Sequence, residues 1–192
     1  MARLIVQLPN FLTVIRIALV VPIGLSMWAG EYRQALGLGL IAGFSDGLDG
    51  YLARRFGWQS QLGALLDPLA DKVFVIVLVT ILTLQGHLPL WLALIVIARD
   101  VVIMGGATVY RFLFGELDME PTAVSKINTL AQMLLLGVVI LGLCELPGDN
   151  GLLRGVADPW GFLLVALLSL WSGIDYVITW GLRTWRRKRQ VA

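Results

Sequence analysis

Several apolar stretches, each long enough to cross a lipid bilayer, constrain the fold of this 192-residue chain more than any other feature. A helix needs roughly 20 apolar residues to span the hydrocarbon core. Hydrophobic residues make up 58% of the sequence, which is more than ordinary soluble domains carry. Because the length suits one domain, the pattern predicts a single all-α integral membrane domain over residues 1–192.

Six segments are predicted to be transmembrane helices. They cover about residues 11–28, 32–54, 62–85, 90–114, 122–143 and 159–180. Basic residues fall at alternate ends of these segments, and a basic cluster at 183–189 follows the last one, so both termini are predicted to be cytoplasmic. The N-terminus resembles neither a signal peptide nor a transit peptide, which favours the bacterial cytoplasmic (inner) membrane.

Features outside the spans bear on partners and packing. The basic tail suits anionic membrane lipids, and the membrane-like composition argues against a nucleic-acid partner. A single cysteine, Cys144, excludes an internal disulfide. In the fourth span, Gly105 and Gly106 predict close contact with another helix. His87 lies in a predicted turn and is interpreted as a loop residue.

Ionisable residues are concentrated between positions 46 and 71, inside the second and third predicted spans. Charged side chains within a membrane segment are costly and mark functional sites by default. Asp46 and Asp49 share one face of the first helix, and Asp67 and Asp71, four residues apart, share a face of the next. The short connection makes these helices antiparallel neighbours, so their carboxylates can converge.

Four converging carboxylates repel one another in a low-dielectric medium and need a compensating charge. Carboxylate oxygens suit hard divalent cations such as Mg²⁺ or Mn²⁺, and no histidine or cysteine lies nearby to favour a softer metal. Two other interpretations stay open at this point. The aspartates could form structural ion pairs with Arg54, Arg55 and Lys72, or line the pathway of an intramembrane cation transporter.

The same stretch resembles the signature of the CDP-alcohol phosphatidyltransferase family. That signature reads D-x-x-D-G-x-x-A-R, eight residues, then G-x-x-x-D-x-x-x-D. Its fixed positions fall, without a mismatch, on Asp46, Asp49, Gly50, Ala53, Arg54, Gly63, Asp67 and Asp71. The resemblance covers most of the chain and includes the segment Leu-Pro-Asn-x-Leu-Thr-x-x-Arg that ends at Arg16.

This resemblance implies an enzyme that moves a phosphatidyl group from CDP-diacylglycerol to an alcohol. The four signature aspartates would bind two divalent ions, Mg²⁺ or Mn²⁺, and Asp71 would also be the general base. The residues that would contact the CDP-lipid are Asp46, Gly50, Ala53, Arg54 and Gly63. The resemblance further implies a homodimer whose active site faces the cytoplasm.

Three cationic residues in the predicted spans are candidates for binding a phosphate on the acceptor: Arg16, Arg99 and Lys126. Each also has a structural interpretation, which is ion pairing for the two arginines and extension toward the interface for the lysine. The wider sequence is similar to the branch whose acceptors are glycerol 3-phosphate or phosphatidylglycerol. Its Ser-Lys-x-Asn-Thr segment is closer to the phosphatidylglycerol-dependent cardiolipin synthases, which adds Asn128 and Thr129 to the predicted acceptor site.

Overall fold

A computed structural model describes the backbone of residues 8–56, 61–114, 122–147 and 151–191, and the side chains of 18–45, 72–106, 108, 122–147 and 151–179. Within these ranges the chain is helical and has no strand. The helices are α1 (Leu8–Trp28), α2 (Tyr32–Phe56), α3 (Gln61–Leu84), α4 (Leu90–Phe114), α5 (Ala123–Leu143), α6 (Leu152–Val156) and α7 (Phe162–Val191). One π-helical turn (Ala157–Gly161) joins α6 to α7.

The long helices coincide with the six predicted segments to within a few residues, except around the last one. There the helical region begins earlier, at α6, and α7 continues through the basic tail. A break at Asp158 (φ −112°, ψ 121°) separates the two parts, because the residue before a proline is disfavoured in the α conformation. The all-α class is confirmed, whereas six membrane crossings and cytoplasmic termini stay predictions.

Two compact units make up the chain: residues 1–88 with 139–150, and residues 89–138 with 151–192. In the first unit, α1 packs against both α2 and α3. Its described core is apolar, with Ile23 and Met27 of α1 and Leu82 of α3 almost fully buried. Gly24 brings the helices close together, since a Cβ at this position would lie 3.4 Å from Cδ1 of Ile81.

Loop residues tie the helices of the first unit together. Gly30 and Gly86 take positive φ angles of 79° and 78°, which lets the chain reverse its direction within a few residues at each turn. Gln85 Nε2 donates a hydrogen bond to the Met27 carbonyl at 2.9 Å, and Tyr32 Oη donates to Gln85 Oε1 at 3.3 Å. Tyr32 Oη also lies 3.0 Å from Nε2 of His87. His87 is therefore a loop residue, as predicted, and its ring takes part in the polar contacts that join the loops of this unit.

Arg33 caps the C-terminal end of α5 from the start of α2. Its Nε donates to the carbonyl of Cys144 at 2.9 Å, and its Nη2 donates to the carbonyl of Glu145 at 3.1 Å. The last carbonyls of a helix lack partners within the helix and carry partial negative charge, so a guanidinium stabilises them. Cys144 itself is buried, and burial raises the pKa of its thiol while the Arg33 charge lowers it by less.

In the second unit, α4 packs against α7. The two helices approach closely at Gly106, where a Cβ would lie 3.0 Å from Cε1 of the Tyr176 ring. At Gly105 a Cβ would meet nothing within 4 Å among the described residues. The predicted close contact is confirmed for Gly106, whereas the described residues give Gly105 no such contact.

Candidate functional site

The buried polar and charged side chains of the described ranges all lie in the second unit. They are Arg99 and Asp100 on α4, Asn128 and Gln132 on α5, and Ser169 and Ser172 on α7, each at most 5% exposed. We call these six residues the polar seam. Polar groups away from water are costly unless they are hydrogen-bonded, so the partners of each side chain decide what the seam can do.

The guanidinium of Arg99 joins three helices. Its Nη1 contacts Asp100 Oδ1 at 2.6 Å, and its Nη2 donates to Ser125 Oγ of α5 at 2.5 Å. Ser172 Oγ of α7 accepts from both Nη2 and Nε, at 2.8 and 3.2 Å. Arginine has five N–H donors, and these contacts use four of them.

These contacts limit what Arg99 can offer to an anionic substrate. Its positive charge is matched by the carboxylate of Asp100, which is 1% exposed, so the pair has no net charge. The structural interpretation of Arg99 is ion pairing, with Asp100 or with another helix, and the contact with Asp100 agrees with it. A role of Arg99 in acceptor binding stays a prediction.

A second hydrogen-bonded group continues the polar seam along α5 and α7. Gln132 Nε2 donates to Ser169 Oγ at 3.2 Å, and Ser169 Oγ donates to Asn128 Oδ1 at 3.0 Å. Asn128, a predicted acceptor residue, is therefore fully buried in helix packing. Gln132, Ser169 and Ser172 are not among the predicted site residues. Their signal is helical spacing, because polar residues three or four positions apart on apolar helices share a face.

The remaining predicted acceptor residues of α5 differ in their surroundings. Lys126 is exposed in the first turn of the helix. Thr129 is half-buried, and its Oγ1 donates to the Ser125 carbonyl at 3.1 Å within the same helix. Thr122 Oγ1 accepts from the Ser125 backbone N–H at 3.3 Å, as a residue at a helix N-terminus commonly does. Of these residues, Lys126 is the one whose side chain is exposed and can contact a ligand.

The predicted metal and CDP-lipid residues lie on α2 and α3, and the backbone of all these positions is helical as expected. Their side chains, and that of the predicted acceptor residue Arg16 on α1, lie outside the described ranges. They are Asp46, Asp49, Gly50, Ala53, Arg54, Gly63, Asp67 and Asp71. Among the side chains that are described, no three histidine, cysteine, aspartate or glutamate residues form a metal-binding group. The carboxylate set itself has the oxygen chemistry that hard divalent cations require.

An apolar groove of about 530 Å³ runs along α4 and α7 in the second unit. Its walls are mostly aliphatic, and its polar lining residues among those described are Arg99 and Ser169. Such a groove offers little to bind a charged headgroup.

Comparison with known proteins identifies the family. A family model described as CDP-alcohol phosphatidyltransferase matches residues 6–180. The chain belongs to the CDP-alcohol phosphatidyltransferase family. The matched region contains the whole signature from position 46 to position 71 and all of the polar seam. Within the described ranges, residues 123–143 and 152–179 form helices long and apolar enough to cross a bilayer, which together with the family indicates a membrane protein.

Three relatives of this phosphatidyltransferase family illustrate its range. A Drosophila melanogaster protein named probable cardiolipin synthase (CMP-forming) is 37% identical over 91% of this chain and 58% of its own length. A Schizosaccharomyces pombe cardiolipin synthase (CMP-forming)/mitochondrial hydrolase fusion protein is 34% identical over 91% of this chain and 31% of its own. An Oryza sativa chloroplastic CDP-diacylglycerol–glycerol-3-phosphate 3-phosphatidyltransferase is 33% identical over 70% and 46%. The chain thus spans about a third to three fifths of the length of these relatives.

Proposed function

We propose that this phosphatidyltransferase-family chain transfers the phosphatidyl group of CDP-diacylglycerol to phosphatidylglycerol, giving cardiolipin and CMP. The observation that carries the proposal is the family match over residues 6–180, which includes the complete aspartate signature on α2 and α3. The two relatives named cardiolipin synthase support this acceptor. Cation transport, the competing function of intramembrane acids, gives no reason for the glycine and alanine positions of the signature.

The proposed reaction replaces one phosphorus–oxygen bond by another. The acceptor hydroxyl oxygen attacks the phosphorus that carries diacylglycerol, and the bond from that phosphorus to the oxygen of CMP breaks. Asp71 takes the proton of the attacking hydroxyl as the general base. Arg54 offsets diphosphate charge, while Gly50 and Gly63 leave room for the CDP group because they carry no side chain. Asp46 and Ala53 complete the CDP-lipid site.

Divalent metal completes this proposal. We assign Asp46, Asp49, Asp67 and Asp71 as ligands of two ions, Mg²⁺ or Mn²⁺, because four carboxylates form a hard oxygen donor set. Bound metal would spread the negative charge of the diphosphate and stabilise CMP as the leaving group. Uncompensated, the same four carboxylates would repel one another strongly in a low-dielectric environment.

Lys126 is the residue that we assign to the acceptor phosphate. Its ammonium group is exposed, whereas the charge of Arg99 is matched by Asp100. One lysine suits the single negative charge of a phosphodiester such as phosphatidylglycerol. Arg99, Asn128 and Thr129 would support this site through the packing of their helices, and Arg16 stays a predicted acceptor residue.

Glycerol 3-phosphate is the second candidate acceptor, and the rice relative, whose name includes that substrate, favours it. The product would then be phosphatidylglycerophosphate. The two acceptors differ in phosphate charge, since a monoester carries more negative charge than a diester. A site with one accessible lysine favours the diester.

The cellular setting follows from the same reasoning. We propose six membrane-spanning helices in the bacterial cytoplasmic membrane, with both termini and the active site on the cytoplasmic side. The basic tail at positions 183–189 supports this orientation. The whole chain would act as one catalytic domain within a homodimer.

An acceptor assay with purified protein in lipid nanodiscs tests the proposal. CDP-diacylglycerol is supplied with either phosphatidylglycerol or glycerol 3-phosphate, and CMP and the lipid product are identified by mass spectrometry. Cardiolipin formed with phosphatidylglycerol supports the proposal, and phosphatidylglycerophosphate formed with glycerol 3-phosphate supports the second candidate. Chelation should stop the reaction and added Mg²⁺ or Mn²⁺ should restore it. Absence of CMP release with both acceptors would contradict the proposal.

The role of Asp71 has its own control. Asp71→Asn should lower turnover by at least about 100-fold, because loss of a general base typically costs that much. Asp158→Asn, at an exposed aspartate of the described chain, should leave turnover unchanged. Equal activity of the two variants would exclude Asp71 as the base.

A further inference from the structure

Two amide atoms of the polar seam are orphaned, one helical turn apart on α5. Nδ2 of Asn128 and Oε1 of Gln132 have no hydrogen-bond partner among the residues that the structure describes. Asn128 is 0% exposed and Gln132 is 2% exposed, so bulk water does not reach them. Each buried polar atom left without a partner costs about 1–3 kcal/mol. The simplest way to avoid this cost is an additional group that forms hydrogen bonds with both atoms.

The arrangement of the two amides defines what that partner must be. Residues four positions apart are neighbours on the same face of a helix, and Ser169 of α7 already joins the other atom of each amide. What remains is one N–H donor and one carbonyl acceptor. The missing group must therefore accept one hydrogen bond and donate another. Reversing the Asn128 amide would leave two acceptors, which a group with two O–H donors also satisfies.

We propose that one buried water molecule binds between Asn128 and Gln132, accepting from Nδ2 of Asn128 and donating to Oε1 of Gln132. A metal ion does not suit the site, because Asn128, Gln132 and Ser169 are neutral and one orphaned atom is a donor. A lipid hydroxyl suits the site less well than water, because Ser169 lines the apolar groove along α4 and α7 but neither Asn128 nor Gln132 does. Buried waters typically make about three hydrogen bonds to polar groups that lack other partners.

This water has a structural consequence that is independent of the catalytic proposal. It closes a ring of hydrogen bonds through Asn128, Ser169 and Gln132, so it fixes the register of α5 against α7 without using charge. Loss of the water leaves Nδ2 of Asn128 and Oε1 of Gln132 without a partner at the same time. The two amides are therefore energetically coupled through the water as well as through Ser169.

Magnetic resonance on the whole protein in lipid nanodiscs tests the site directly. With ¹⁵N-labelled asparagine, magnetisation transferred from water protons should reach the Asn128 side-chain amide at short mixing times, and Asn128→Leu identifies that signal. Gln132→Leu removes the acceptor of the water and should weaken the transfer at least threefold. Absence of transfer in the unmodified protein, or transfer unchanged in Gln132→Leu, overturns the proposal.

A double-mutant cycle in the Ser169→Ala background tests the coupling. Each of Asn128→Leu and Gln132→Leu should raise the unfolding equilibrium constant by about tenfold. Together they should raise it by much less than a hundredfold, because the first substitution already removes the water. Strict additivity would mean that no shared water couples the two amides, and it would overturn the proposal. If these variants do not fold, the resonance experiment on the unmodified protein decides.

Discussion

Arg99 and Asp100, adjacent residues of α4, form an ion pair of 2.6 Å although both side chains are almost fully buried. Breaking such a pair by removing one partner costs about 3–5 kcal/mol, because it leaves an uncompensated charge. Asp100→Leu should therefore lower the free energy of unfolding strongly, as measured by steric trapping or detergent titration. The double variant Arg99→Met/Asp100→Leu should be more stable than Asp100→Leu, and the opposite order would contradict a buried ion pair.

Lys126, exposed at the start of α5, should control acceptor affinity more than turnover. A hydrogen bond to a charged group contributes about 1.5–3 kcal/mol, so Lys126→Ala should raise the KM for the acceptor about 10- to 100-fold. The kcat should change less, and Lys126→Arg should recover part of the affinity. Arg154→Ala, which removes another exposed cation of the same unit, is the matched control. An unchanged acceptor KM in Lys126→Ala would assign the phosphate to a different residue.

Gly106 and Gly105 form a matched pair of sites for testing the contact between α4 and α7. A Cβ at Gly106 would lie 3.0 Å from Cε1 of the buried Tyr176 ring, whereas a Cβ at Gly105 would meet nothing within 4 Å among the described residues. Gly106→Leu should therefore lower the thermal unfolding midpoint markedly, since overpacking typically costs about 1–3 kcal/mol. Gly105→Leu should change it little. Equal shifts would mean that the two helices do not approach at Gly106.

The hydrogen bonds of Arg33 should keep the C-terminal end of α5 folded, and the reactivity of the Cys144 thiol can report on local unfolding there. Because Cys144 is the sole cysteine and is buried with a raised pKa, maleimide should label the native protein slowly. Arg33→Ala removes both guanidinium bonds to the helix end and should accelerate labelling about fivefold or more, which corresponds to about 1 kcal/mol. Because the Arg33 charge also lowers the pKa of the thiol, labelling rates are compared per thiolate, after the thiol of each variant has been titrated. Arg154→Ala again serves as the control. Identical labelling rates in the two variants would show that the Arg33 cap does not control local unfolding around Cys144.

Apolar length was sufficient to predict the all-α class and the positions of helices α1 to α5. Stretches of about 20 apolar residues fixed α1 to α5 to within a few residues, and glycine and proline placed the turns near positions 86 and 147. The start of the last helical region was predicted too late. The helical region begins before Pro159, at α6, because only Asp158 departs from helical backbone angles.

The candidate site was predictable in part. The signature predicted the family, which the family match confirms, because fixed spacing on two helices carries chemical meaning that composition lacks. The roles of its aspartates stay predictions. The polar seam was harder to foresee. Ser169 and Ser172 are common residues, and only the folded chain shows that they lie against Arg99 and Asn128. Helical spacing marks the shared polar face of each helix, but it does not show which residue of another helix, more than 40 positions away, is the hydrogen-bond partner.

The order of synthesis gives the Arg99–Asp100 pair a further importance. Helix α4 leaves the ribosome before Ser125 of α5 and well before Ser172 of α7, so in the proposed membrane topology its arginine enters the bilayer without these two later partners. Because Asp100 is the next residue, the charge is neutralised as soon as the helix forms. The nascent chain can thus insert α4 first and recruit α5 and α7 to it afterwards through the hydrogen-bond donors that the pair still offers.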